Sequence, residues 1–259
     1  MYSAIWWACT VVGLFVTTLC VRRARRQPRV FTWSIAAAFG ICTLGVFFAV
    51  PAVESLATDI TGVPNVAKLV AHFCAILWCA SLQITMVDLA YRQDYLRTAL
   101  IQRSFAALVW LCIMVPLFLA TNGRDVEFTT EHVDNPRIAS YLLIYLAYVL
   151  ITCAELAFMC GRTAQRNWGT RPWTGWGFAM SSVAAALGVA YTISKGSYVL
   201  LYTLGHPWSL AVEQKMSPAF SGLATIFLFA GLTLPMLGGA LRRWRGHEGA
   251  RQEEESVSA

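Results

Sequence analysis

Long apolar runs alternate with short polar segments along the whole chain. Seven of these runs approach the roughly 20 residues that a helix needs to cross the hydrocarbon core of a bilayer. They cover residues 2–21, 30–49, 66–89, 104–121, 138–160, 174–201 and 219–241. The pattern therefore predicts an all-α fold, a polytopic membrane bundle of seven transmembrane helices.

The polar segments carry charges whose sign alternates from one segment to the next. Carboxylates such as Glu54, Asp134 and Glu213 occupy the segments between four arginine clusters. The clusters are Arg22, Arg23, Arg25, Arg26 and Arg29; Arg92, Arg97 and Arg103; Arg162, Arg166 and Arg171; and Arg242, Arg243, Arg245 and Arg251. Lys and Arg are retained on the cytoplasmic side of a membrane. The alternation therefore predicts an N-terminus outside and a C-terminus in the cytoplasm.

The same pattern of apolar runs and charges divides the chain into two parts. Residues 1–245 form the predicted seven-helix transmembrane domain. Residues 246–259 contain three successive glutamates and few apolar side chains, so they are predicted to form a disordered acidic cytoplasmic tail.

The overall composition supports a membrane protein. Hydrophobic residues make up 57% of the chain and charged residues 13%, against about 25% charged residues in a typical soluble domain. The formal charge of +6 is spread over several short segments instead of forming one basic patch. We therefore expect the arginines to face anionic lipid headgroups, and we predict the lipid bilayer and not nucleic acid as a partner.

Several kinds of chemistry lack their sequence signature. All eight cysteines lie in apolar runs without C-x-x-C spacing, which favours small buried hydrophobes over metal or redox sites. The chain has no phosphate-binding G-x-x-x-x-G-K-[ST], no H-E-x-x-H and no G-x-S-x-G motif. The last apolar run has no lysine for a retinal Schiff base. The sequence thus predicts neither an enzyme nor a bound cofactor or metal.

One carboxylate lies more than one helical turn inside an apolar run. Glu155 falls in the fifth run, near its arginine-bearing end, where an ionisable group is costly and usually faces protein or a water-filled cavity. Four other polar residues lie at a similar depth in their own runs: Gln83, Ser181, Ser182 and Thr233. Together they predict an inner polar layer, which is either functional or a set of structural hydrogen bonds between helices.

A second polar group lies near the opposite end of the predicted bundle. Asn65, Lys68 and His72 begin the third run and share one helix face, and Lys195 lies near the same end of the sixth run. These residues predict an outer vestibule. The alternative is interfacial anchoring, with the Lys195 side chain reaching towards the headgroups.

Two local interpretations concern helix contacts. Asp88 and Arg92 are four residues apart, which predicts an ion pair within one helix. In the sixth run, small residues recur at helical spacing at Gly177, Ser181 and Gly188. Small residues let helix backbones approach closely, so we expect this helix to be central in the bundle.

Residues 51–53 read Pro-Ala-Val, and residues 61–72 read Thr-Gly-Val-Pro-Asn-Val-Ala-Lys-Leu-Val-Ala-His. These segments resemble a signature of a family of actinobacterial integral membrane proteins that are usually described as transporters. The resemblance implies a multi-pass protein of a bacterial plasma membrane, transporter-like for a small solute or ion. Many family members continue after helix seven into a cytosolic domain. This chain is expected to lack that domain and any function that resides in it.

Two further classes of function stay open beside transport. A membrane sensor or signalling component would use the same bundle to pass a stimulus to a protein partner at the arginine-rich cytoplasmic face. An accessory subunit would bind such a partner without any solute path. A cavity connecting Glu155 with the outer loops would favour transport over both.

Overall fold

The computed structural model describes the backbone of residues 2–90, 93–121 and 129–258, and the side chains of residues 6–89, 95–121 and 129–235. This described backbone contains eight α-helices, a short 3-10 turn and no strand. The helices are α1 (Tyr2–Arg26), α2 (Val30–Phe48), α3 (Pro51–Thr61), α4 (Val66–Ala90), α5 (Gln93–Ala120), α6 (Pro136–Asn167), α7 (Pro172–Thr203) and α8 (Leu210–Ser258). Seven of them are long and apolar enough to cross a membrane, which confirms the predicted class and number of spans.

The short helix α3 was not predicted, because the hydropathy pattern indicates only membrane-length runs and α3 has 11 residues. Pro51 stands in its first turn, and Gly62 ends it with a φ of 65°, a left-handed conformation that glycine adopts without strain. Leu56 and Ile60 lie one turn apart and are exposed, Ile60 by 75%. An exposed apolar stripe on a short helix between two spans is typical of a helix lying in the membrane interface.

Several helices extend beyond the apolar runs that predicted them. Helix α5 begins at Gln93 instead of residue 104, and α6 continues to Asn167 instead of residue 160. Hydropathy detects only the apolar part of such a helix, whereas Arg and Gln are also good helix formers. Arg103 therefore lies well inside α5.

Helix α8 also continues through residues 246–258, where the sequence predicted a disordered tail. Four glutamates and one residue each of Gln, Ala and Arg make up seven of these 13 residues, and all four types favour a helical backbone. The division of the chain at residue 245 stays a prediction.

Helices α4 and α6 lie in the middle of the bundle. Helix α4 contacts α2, α5 and α6, and α6 contacts α4, α5 and α7. Side chains from α4 and α6 meet in the same order along both helices, as Gln83 with Glu155 and Met86 with Cys160, so these two helices are parallel. Sequential spans such as α6 and α7 are antiparallel.

Helix α7 packs between α6 and α8. A Cβ atom on Gly177 would approach the carbonyl oxygen of Gly231 in α8 to 2.7 Å, and a Cβ atom on Gly188 would approach Cys153 Sγ in α6 to 2.7 Å. The predicted small residues therefore do allow close helix contacts. The centre of the bundle is nevertheless formed by α4 and α6.

The antiparallel order gives the bundle two ends of different charge. The basic end holds the arginines of residues 22–29 and 162–171, and the acidic end holds Glu54, Asp134 and Glu213. Asp88 lies at the basic end, where its Oδ2 accepts a hydrogen bond of 3.2 Å from Phe31 N in the first turn of α2. Arg92, its predicted partner, lies outside the described residues.

Candidate functional site

Glu155 forms a polar group with residues from two other helices. Gln83 Nε2 in α4 donates a hydrogen bond of 2.6 Å to Glu155 Oε2. Arg103 in α5 donates to the other carboxylate oxygen, forming an ion pair. The side chains of Arg103 and Glu155 are 16% and 26% exposed. The group thus joins α4, α5 and α6 with a neutralised charge.

The other three residues of the predicted inner layer do not join this group. Ser181 Oγ donates to Gly177 O within its own helix at 3.0 Å, and Ser182 Oγ donates to the backbone of α6 at Ala157 O at 2.7 Å. Thr233 is exposed and donates within α8. Of the described contacts of the predicted layer, only the one between Gln83 and Glu155 joins two of its members.

Arg103 was missed as the partner of Glu155, because it was assigned to a basic cluster outside the fourth apolar run. Helix α5 starts ten residues before Arg103, which places the guanidinium about 15 Å into the helix at 1.5 Å per residue. The carboxylate of Glu155 could have indicated this partner, because a charged residue within a membrane helix usually pairs with a residue of opposite charge.

Three residues of the predicted outer vestibule lie in one region at the acidic end. His72 Nδ1 is 2.8 Å from Tyr141 Oη, and its ring stacks on Tyr145 with the ring centroids 4.4 Å apart. Lys68 and Lys195 lie at the same end of the bundle, on α4 and α7. Lys68 also pairs with Glu54 at 3.8 Å, and Lys195 Nζ lies 5.9 Å from the ring centroid of Tyr191. Asn65 has a φ of 58°, so it forms the left-handed turn into α4.

Glu213 is a buried charged residue that the sequence pattern placed in a polar segment between two apolar runs. It lies in the first turn of α8 and is only 2% exposed. Its carboxylate accepts hydrogen bonds from Thr130 Oγ1 at 3.0 Å and from Ser217 Oγ at 2.8 Å. A helix N-terminus stabilises a carboxylate, which accounts in part for the burial of this residue.

An apolar cavity of about 420 Å³ lies between the helices of the bundle. Helices α4, α6, α7 and α8 form its walls, with Phe31 and Ile35 of α2 and Arg23 of α1 on the remaining side. The α6 wall is a single helix face of apolar side chains at a spacing of three or four residues. Its members are Tyr145, Val149, Cys153, Leu156 and Cys160.

The cavity is long and open on one side. Along α7 it extends from Thr174 to Tyr191, about 25 Å at 1.5 Å per residue. Ser221 and Thr225 of α8 line it and are also exposed, so it communicates with the surroundings of the bundle.

Glu155 does not line this cavity, although Cys153 and Leu156 on either side of it do. The half-buried ion pair and the cavity therefore lie on different faces of α6. Among the described residues, no group of His, Cys, Asp and Glu side chains could hold a metal ion. The cavity walls are thus mainly apolar and separate from the ion pair.

No protein-family model, curated protein or solved structure matches the chain.

Proposed function

We propose that the protein is a membrane carrier that binds a small, largely apolar molecule in the cavity between α4, α6, α7 and α8. The observation that carries this proposal is the cavity itself. Ligand pockets typically enclose about 300–1,000 Å³ and are lined mainly by apolar and aromatic side chains. The cavity of about 420 Å³, with aromatic walls such as Trp78, Phe178 and Tyr191, falls within that description.

The polar groups of the bundle favour an apolar solute over an ion or a sugar. Arg103 and Glu155 neutralise each other away from the cavity, where they brace three helices. A hydrophilic solute would need a continuous polar path, because unpaired polar groups are costly in hydrocarbon. Seven of the 29 described residues that line the cavity carry a hydroxyl, and none carries a carboxylate.

A carrier needs an element that can move, and α8 can bend at Pro235. Pro235 lacks an N–H group, so the carbonyl of Gly231 loses its usual helical hydrogen bond. Both residues line the cavity, and Gly231 contacts Gly177 of α7. A bend here would change the width of the cavity.

The proposal is tested by filling the cavity. Ala185→Phe places a ring into it, whereas Ala186→Phe places the same ring on the exposed face of the same helix. The purified protein is labelled with a photoreactive long-chain alcohol, and the labelled peptides are mapped. We expect labelling of the cavity-lining peptides of α6, α7 and α8 in the original chain and in Ala186→Phe, and its loss in Ala185→Phe.

Transport is then measured with the protein in liposomes. The protein should accelerate exchange of the labelled alcohol between vesicles or leaflets, and Ala185→Phe should not. Absence of specific labelling of the cavity peptides in the original chain would refute the proposed function. Equal labelling in both phenylalanine variants would refute the assignment to this cavity.

A second candidate function is favoured by the continuation of α8 beyond the cavity. The helix extends from the cavity-lining Pro235 to Ser258 as one described backbone helix, so a bound molecule could change its direction at the basic end. A sensor would then show ligand-dependent protease cleavage after Pro235 without any solute flux. Flux without such a change would favour the carrier.

A further inference from the structure

We infer that the molecule in the cavity is a single-chain anionic amphipath, with its tail between α6, α7 and α8 and its carboxylate at Arg23. This inference rests on the proposed function and names the chemical class of the solute. Three features carry it: the shape of the cavity, the charge at its mouth and the gap between α2 and α8.

The shape suits one extended hydrocarbon chain. About 420 Å³ distributed over a length of about 25 Å leaves room for a narrow occupant and not for a compact, branched one. Half the thickness of a bilayer hydrocarbon core is about 15 Å. The cavity therefore accommodates a chain that extends from the basic end to beyond the membrane midplane.

The mouth of the cavity at the basic end carries a positive charge. Of the described residues that line the cavity, Arg23 alone is charged, and its side chain is exposed. Neighbouring Arg22 and Arg26 are exposed as well, and they add to the positive potential. The nearby carboxylate of Asp88 accepts a hydrogen bond from the backbone of α2. A planar guanidinium binds a carboxylate through two parallel hydrogen bonds, so the head of an anionic amphipath fits this position.

The gap between α2 and α8 provides a route from the surrounding lipid. These helices do not form one of the extensive helix contacts of the described bundle, and they meet at the stacked rings of Phe39 and Phe229, with centroids 6.0 Å apart. On the side of the basic end, Phe31 of α2 and Leu232 of α8 line the cavity. An amphipath can pass between them while its tail stays in an apolar environment.

A charged head also explains why a carrier would be needed. An ionised group meets a large barrier in the hydrocarbon core, so transfer between leaflets gains more from a carrier for an anionic amphipath than for an uncharged one. The Arg23 guanidinium would hold the head at the membrane surface while the tail occupies the cavity.

The test compares three photoreactive probes of equal chain length that end in a carboxylate, an alcohol or a trimethylammonium group. They are applied to the purified full-length chain, to Arg23→Gln and to Arg26→Gln, which removes an exposed arginine that does not line the cavity. Because the guanidinium of Arg23 is exposed, its charge-assisted hydrogen bonds should make the carboxylate label the cavity peptides about tenfold more strongly than the alcohol, a difference of about 1.4 kcal/mol. Arg23→Gln should reduce carboxylate labelling to the level of the alcohol, and Arg26→Gln should retain the preference.

Labelling by the alcohol shows that each variant keeps its folded cavity. Equal labelling by carboxylate and alcohol in the original chain would overturn the inference while leaving the proposed function intact. Retention of the full preference in Arg23→Gln would overturn it as well. Absence of specific labelling by every probe would instead refute the proposed function.

Discussion

Burying a charge beside its opposite costs far less than burying it alone, and Arg103 and Glu155 form such a pair inside their helices. Gln83 completes the set of polar contacts by donating to the second carboxylate oxygen. Because the three residues come from α5, α6 and α4, their contacts fix the relative position of three spans. At the scale of single residues, this group is therefore a structural brace.

We predict that Glu155→Gln destabilises the bundle by about 2–3 kcal/mol, because the half-buried guanidinium of Arg103 loses its counterion. The amide retains its size and its contact with Gln83, so a purely local hydrogen-bond effect would be much smaller. The measurement is the free energy of unfolding in mixed micelles with increasing dodecyl sulfate. Adding Arg103→Met should recover much of the loss, because the double variant no longer buries an unpaired charge.

Glu54→Gln is the matched control. Glu54 and Lys68 form a longer pair of 3.8 Å, with the side chain of Glu54 33% exposed, and exposed pairs contribute about 1 kcal/mol or less. Equal effects of Glu54→Gln and Glu155→Gln would contradict the brace.

The sequence predicted part of these residue contacts. Glu155 was identified because it interrupts an apolar run, and Gln83 because it lies at matching depth. Arg103 and Glu213 were missed for a shared physical reason: each lies beside a polar segment, and hydropathy does not show where a helix begins. Their burial depends on the packing of α5 against α6 and of α8 against the 3-10 turn, which is long-range information.

At the scale of helices, α7 and α8 approach closely through glycines. A Cβ atom on Gly231 would lie 2.6 Å from Gly177 O and 2.5 Å from Ser181 Oγ. The nearby Pro235 removes one helical hydrogen bond in the same turn. The contact is therefore both tight and able to bend.

We predict that Gly231→Ala destabilises the bundle by about 1–3 kcal/mol through overpacking, because the Gly177 carbonyl cannot move without displacing α7. Gly222 is the control in the same helix, since a Cβ atom there meets nothing within 4 Å. Gly222→Ala should be neutral or stabilising, by up to about 1 kcal/mol, from its higher helix propensity. The unfolding measurement in micelles applies to both. A stable Gly231→Ala variant would show that α7 and α8 can separate at little cost.

The sequence predicted the spans better than the contacts they make. The length of the apolar runs identified all seven membrane-length helices. A segment that crosses the hydrocarbon core must satisfy its backbone hydrogen bonds internally, so an apolar run of that length is expected to be helical. It did not identify α3, whose 11 residues fall below that length. The small residues of α7 predicted close packing, yet Ala184, Ala185 and Gly188 also line the cavity. A small side chain leaves space, and the sequence does not show whether a neighbour fills it.

At the scale of the whole molecule, the two ends of the bundle differ in charge, and we expect the basic end to face the cytoplasm. Reporters fused after Asp59 and Asp134 should be active outside, and reporters fused after Arg26 and Arg166 should be active in the cytoplasm. Enzymatic reporters specific for either side of the membrane provide the measurement. A reversed assignment at either pair would contradict this orientation and would place the mouth at Arg23 on the outer surface.

The proposed route through the gap between α2 and α8 also affects how a binding constant for this cavity is interpreted. Any lipid tail of the adjoining leaflet can enter the same space, so the solute always displaces a competitor present in large excess. Binding is then an exchange, and its free energy is the difference between two similar hydrocarbon chains in the same walls. Two hydrocarbon tails of similar length bind with similar free energies. The cavity therefore distinguishes the solute from a membrane lipid through the headgroup at Arg23. Occupancy in a natural membrane should therefore follow the anionic fraction of the surrounding lipid as much as the concentration of the solute.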